Sequence, residues 1–147
     1  SMRNAKVELI DVALKGCRSY ALIVPPASSE TTVVVATRCE FANSEYGAII
    51  HGSLTFATFN NCVFHDNSGD GIYVSKATMH LHGEATAIHS NGRNGIRAGS
   101  SPPWPNQSAE TSGKVVIHLP SHHNTIYNNG GEDRFTLPGS TITNVED

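Results

Sequence analysis

Short stretches of alternating apolar and polar residues recur along the chain. In "CVFH" (62–65), Cys62 and Phe64 fall on one side and Val63 and His65 on the other, by the two-residue period of a strand. In "GIYV" (71–74), Ile72 and Val74 point inward and Tyr73 outward. Further strands are predicted before these, in "SLTF" with Leu54 and Phe56, "TMHLH" with Met79 and Leu81, and "KVVIHL" with Ile117 and Leu119. Turn residues separate the runs, so helices have almost no room.

The pattern repeats. His65 and His89, Asn67 and Asn91, Gly71 and Gly95, and Ile72 and Ile96 all lie 24 residues apart. Upstream, "CEFANSEYGAII" (39–50) answers "CVFHDNSGDGIYV" (62–74) with one residue fewer, pairing Phe41 with Phe64, Asn43 with Asn67 and Gly47 with Gly71. Downstream, "TIYNNGGEDRF" (125–135) pairs Ile126 with Ile88 and Asn129 with Asn91. A weaker copy, "VALKGCRSYALIV" (12–24), matches Leu14 to Phe41 and Ile23 to Ile50. A coil with about 24 residues per rung and about five rungs buries its apolar faces by stacking them ~4.8 Å apart.

The repeated phrase, apolar-x-apolar followed by Asn and then Gly-Ile/Ala-x-apolar, resembles the right-handed parallel β-helix of the pectate-lyase-like superfamily over roughly residues 10 to 135. The resemblance implies an all-β solenoid. It also implies a function drawn from a set of polysaccharide lyases, hydrolases, epimerases, tailspikes and non-catalytic repeats. On this reading Asn43, Asn67, Asn91 and Asn129 form an inward asparagine ladder that satisfies backbone groups at a bend. Gly47, Gly71 and Gly95 would permit tight backbone at the next strand.

Composition narrows the partners. The chain has 147 residues, fitting one domain over 1–147, with 1–6 a terminal or tag-derived segment. A net charge of −3 and pI near 6.2, with no basic stripe, speak against nucleic acid. No apolar run approaches 18 residues, so no membrane-crossing helix is expected. "SMRNAK" has no apolar core of a leader, and localisation stays open. Three cysteines without a CxxC pair predict no disulfide framework; Cys39 and Cys62 read as buried thiols.

Function is sought among the outward residues. Tyr73 and Arg97 share a column, and Trp104 lies in the inserted loop 99–113, "GSSPPWPNQSAETSG"; these three are the candidate ligand contacts. His65, His89 and Tyr127 form another outward column. His80 and His118 are expected to correspond, ~5 Å apart, with His82 ~7 Å from His80, so that Zn²⁺ is a candidate there; the alternative is ordinary polar residues on a solvent face. Asp66 and Asp70 flank the asparagine turn as candidates for Ca²⁺ or acid–base chemistry, or as plain turn formers. The catalytic motifs of the superfamily, such as Asp-Pro-His-Glu or Arg-x-Pro-x-x-Arg, are absent. The expectation is a non-catalytic module that needs no cofactor and binds a polysaccharide or a protein. A polysaccharide-active enzyme with a diverged site is one alternative. A scaffold segment that associates end to end is another.

Overall fold

The computed structural model describes residues 3–26, 30–99, 112–119 and 125–145. The first rung comprises β1 (Arg3–Ile10), β2 (Ala13–Lys15) and β3 (Tyr20–Val24), and the second β4 (Glu30–Thr37), β5 (Glu40–Ala42) and β6 (Tyr46–His51). The third holds β7 (Thr55–Asn60), β8 (Val63–His65) and β9 (Ile72–Ser75), and the fourth β10 (Thr78–His82), β11 (Ala87–His89) and β12 (Ile96–Ala98). The fifth has β13 (Lys114–His118), β14 (Ile126–Tyr127) and β15 (Arg134–Thr136), after which β16 (Thr141–Asn144) opens a further pass. Like strands pair in parallel into three sheets: β1-β4-β7-β10-β13-β16, β2-β5-β8-β11-β14 and β3-β6-β9-β12-β15. The all-β solenoid expected from the repeat is the observed architecture, and no helix occurs among the described residues.

The step between rungs is less uniform than 24. In the first sheet Arg3 pairs with Glu30, Thr32 with Thr55, Phe56 with Thr78 and Thr78 with Lys114, giving steps of 27, 23, 22 and 36 residues. Twenty-four holds where the second and third sheets cross the middle rungs, as in His65 with His89 and Tyr73 with Arg97. Length varies mainly at the corner from third to first sheet, where extra residues leave the stacked faces undisturbed.

Inward positions stack like on like. Phe41, Phe64, Ile88 and Ile126 succeed one another down the second sheet, fully or almost fully buried. The rings of Phe41 and Phe64 lie face to face at 4.8 Å, and Phe59 of the first sheet meets both edge-on. Cys39 and Cys62 are buried free thiols that donate to backbone carbonyls, and burial pushes the Cys62 thiol up to about 11.

The corner between second and third sheets explains the asparagines. Each rung there contains one residue with positive φ: Gly16, Asn43, Asp66, Ser90 and Asn128. The next residue turns inward. Asn67 Nδ2 donates to Asn91 Oδ1 and Asn91 Nδ2 to Asn129 Oδ1, both at 2.9 Å. The same amides donate back to the carbonyls of Phe41, Phe64 and Ile88.

Asn43 is not in this ladder. It is exposed in the left-handed position (φ 54°), and buried Ser44 takes the inward place, its N–H donating to Asn67 Oδ1 at 3.1 Å. The missing residue of the second rung therefore falls after the ladder position, because β5 steps 23 to β8 while β6 steps 24 to β9. Pairing asparagine with asparagine put the gap before the ladder position instead of after it. By the same test Val24, not the exposed Ile23, partners Ile50.

The glycines in step also have a different reason from the expected one. Gly47, Gly71 and Gly95 have no positive φ. What they lack is room: a Cβ on Gly71 would sit 2.7 Å from the Asn91 amide nitrogen, and one on Gly95 2.7 Å from that of Asn129. Glycine follows from the ladder passing overhead.

Candidate binding site on the outer face of the third sheet

Outward positions of the third sheet form the column Ile23, Ile49, Tyr73, Arg97 and Phe135. Alternation in β9 and β12 turns Tyr73 and Arg97 out while Ile72, Val74, Ile96 and Ala98 are buried. The Arg97 guanidinium lies 5.1 Å from the Tyr73 ring centre and 5.9 Å from that of Phe135, so it is held between two aromatic faces. Tyr46 meets Tyr73 edge-on at 6.4 Å, and Tyr20 lies 6.5 Å beyond Tyr46. A strip of aromatic rings, interrupted by Arg97, thus runs across the five rungs.

The strip ends at a cleft of about 420 Å³ lined by Arg93, Asn94, Arg97, Gly131, Phe135 and Leu137, among others. Arg93 is exposed at its rim. The loop of the fourth rung is fixed from both sides: Asn94 N–H donates to Asp70 Oδ1 at 3.0 Å, and Asn94 Oδ1 accepts from the Glu132 N–H at 2.9 Å. Asp70 is completely buried, and burial raises its carboxyl above the usual range against the opposing pull of Asn94, Arg97 and Arg93. Among the described residues, its Oδ2 and the Arg97 Nε are both buried without a hydrogen-bond partner. Tyr46, beside the same charges, has its phenol raised first by burial and then by Asp70 and Glu45.

Phe135, Arg93 and the glycine-lined cleft were not singled out from the sequence. The offset that pairs Asn91 with Asn129, carried on for six residues, places Phe135 opposite Arg97. Depth of the cleft has no such signature.

Asp66 and Asp70 have different partners. Asp66, in the left-handed bend, turns to His65 Nδ1 at 2.5 Å on the exposed side, whereas Asp70 is enclosed under Asn94. Trp104 and most of the loop 99–113 lie outside the described residues.

The two histidine columns differ in kind. His65, His89 and Tyr127 stack at 5.2 and 5.1 Å, with Glu40 joining His65 Nε2 at 3.0 Å and Lys15 on its other oxygen. Burial and the neighbouring His65 lower the pKa of His89. On the first sheet the partner of His118 is His82, not His80, which pairs with Val116. The three rings still converge, with centres 4.0 Å apart for His82 and His118, 5.0 Å for His80 and His118, and 6.2 Å for His80 and His82. Burial, then His118 and Lys114, lower the pKa of His80.

Against known families, the chain matches the one described as "Right handed beta helix region" over residues 1–146. No curated protein and no solved structure gives a significant match.

Proposed function

We propose, for a chain that belongs to the right-handed β-helix family, a non-catalytic binding module that recognises an acidic glycan on the outer face of the third sheet. The observation that carries the reading is the Tyr73–Arg97–Phe135 column running into the cleft beside Arg93. Aromatic faces stack on the C–H faces of pyranose rings, and a guanidinium fork matches a carboxylate. Arg97 is pre-organised between two rings, so less ordering is needed on binding. Arg93 is exposed close by and supplies a second cation to a ligand lying along the loop. Tyr73 then orients the sugar one rung away, and Phe135 closes the far side. The net charge of −3 makes this local pair of arginines a point of selectivity rather than a general attraction to anions.

The test is retention on immobilised acidic and neutral polysaccharides, with reducing and unsaturated ends assayed in the same samples. Expected is retention on uronate-containing polymers without product, weakened about tenfold or more by Arg97→Ala and less by Tyr73→Ala. Product formation would instead mean an enzyme. Retention that is indifferent to Arg97→Ala, or no retention at all while an acidic protein is bound, would remove the glycan reading.

A further inference from the structure

We infer that His80, His82 and His118 form a binding site for a borderline divalent transition-metal ion, of which Zn²⁺ is the representative. Each residue offers one ring nitrogen, and these nitrogens all lie within 4.8 Å of one another. It is the only group of three or more such ligands among the described residues. Two come from a His-x-His on β10, whose alternate positions share one face, and the third is the register partner of His82 on β13. The insertion of about a dozen residues before β13 leaves that register intact, so His118 is delivered by sheet pairing rather than by a loop.

The distances suit a metal after small ring rotations. Nitrogens bound tetrahedrally at ~2.0–2.1 Å from zinc stand ~3.3 Å apart. His80 Nδ1 and His118 Nε2 are now 2.7 Å apart, a hydrogen bond in which one nitrogen must offer its lone pair. That pair has to open by roughly half an ångström, and the widest has to close by about 1.5 Å. Thr58 and Asn60 of β7 are the outward neighbours of His80 and His82, and their polar groups suit the remaining ring N–H donors.

Three neutral ligands with Lys114 nearby provide no anionic charge, so affinity has to come from nitrogen bonding. The site therefore selects Zn²⁺, Ni²⁺ or Cu²⁺ over Ca²⁺ and Mg²⁺. All three rings are only part-buried, and a fourth position remains for water or a carboxylate.

The experiment titrates the metal-free protein with Zn²⁺ by calorimetry and with Co²⁺ by visible absorption, using Ca²⁺ as the control. Expected are one equivalent of Zn²⁺ bound at micromolar affinity or tighter, d–d bands with Co²⁺, and no response to Ca²⁺. His118→Ala and, separately, His80→Ala should weaken Zn²⁺ at least tenfold while melting as the parent does without metal. His89→Ala, in the other column, should leave the titration unchanged. Absence of Zn²⁺ binding in the parent overturns the inference. Binding that survives His118→Ala, or that His89→Ala removes, overturns it equally. If both triad variants melt early, the Co²⁺ bands of the parent decide: nitrogen-coordinated bands uphold the site and their absence rejects it.

Discussion

The corner between the second and third sheets and the outer face of the third sheet are built on the same rung spacing, yet they use it in opposite ways. At the corner the same residue recurs: Asn67, Asn91 and Asn129 are each bonded to the next and back to the chain. On the face the residue changes at each step from the second rung on, from Ile49 to Tyr73 to Arg97 to Phe135. Repetition inside follows from burial, since a buried amide needs the same partners in each rung. An outward position is released from that demand. Its identity is free to serve a ligand, and departures from the repeat are the more informative positions.

The difference should be largest in stability. Asn91→Ala removes the acceptor of the Asn67 N–H and amide and the donors to Phe64 O and Asn129. It should cost about 3 kcal/mol or more in urea unfolding, given ~1–3 kcal/mol per buried group left unpaired. Gly71→Ala should come next, at roughly 1–3 kcal/mol, because the new methyl meets the Asn91 amide, Gly95 O and Ile88. Ser44→Ala should cost about 1 kcal/mol, for its hydroxyl accepts the Cys17 N–H and donates to Ala42 O. Asn43→Gly, one residue away in the exposed left-handed position, should stay within about 0.5 kcal/mol. A larger loss at Asn43 than at Ser44 would put the ladder back in the register first expected.

Titration should give smaller effects of opposite sign. Asp70 has a folded-state pKa above its unfolded value, so its charged form costs stability at neutral pH and that cost fades as pH falls to ordinary carboxylate values. Asp70→Asn should therefore raise the urea midpoint at pH 7 and lose that advantage below about pH 4. His51, His80 and His89 are depressed, chiefly by burial. The folded state resists their protonation, and stability should fall as pH drops from 7 through the ordinary histidine value of about 6.5.

Most of the fold was legible because burial writes a period into the sequence. Spacing alone pairs Phe41 with Phe64 and Ile88 with Ile126, and the structure stacks all four in one column. Errors arose where one residue's difference in rung length had to be located. Identity suggested Asn43, and hydrogen bonding selects Ser44. The same kind of slip matched His80 rather than His82 with His118. Of the candidate binding surface, the Tyr73–Arg97 neighbourhood followed from the repeat, but the enclosure of Asp70 and the cleft beside Arg93 did not. Those depend on how a turn folds over its neighbour, which a period of alternating residues does not encode.

The most direct measurement takes Asn91→Ala and Arg97→Ala through the same two assays, urea unfolding and retention on an acidic polysaccharide. The account predicts that Asn91→Ala loses most of its stability margin. Arg97→Ala should unfold within about 2 kcal/mol of the parent, the scale of a partly desolvated cation–π contact, and lose retention. An Arg97→Ala protein that is strongly destabilised, or that is retained as well as the parent, would contradict the division between corner and face.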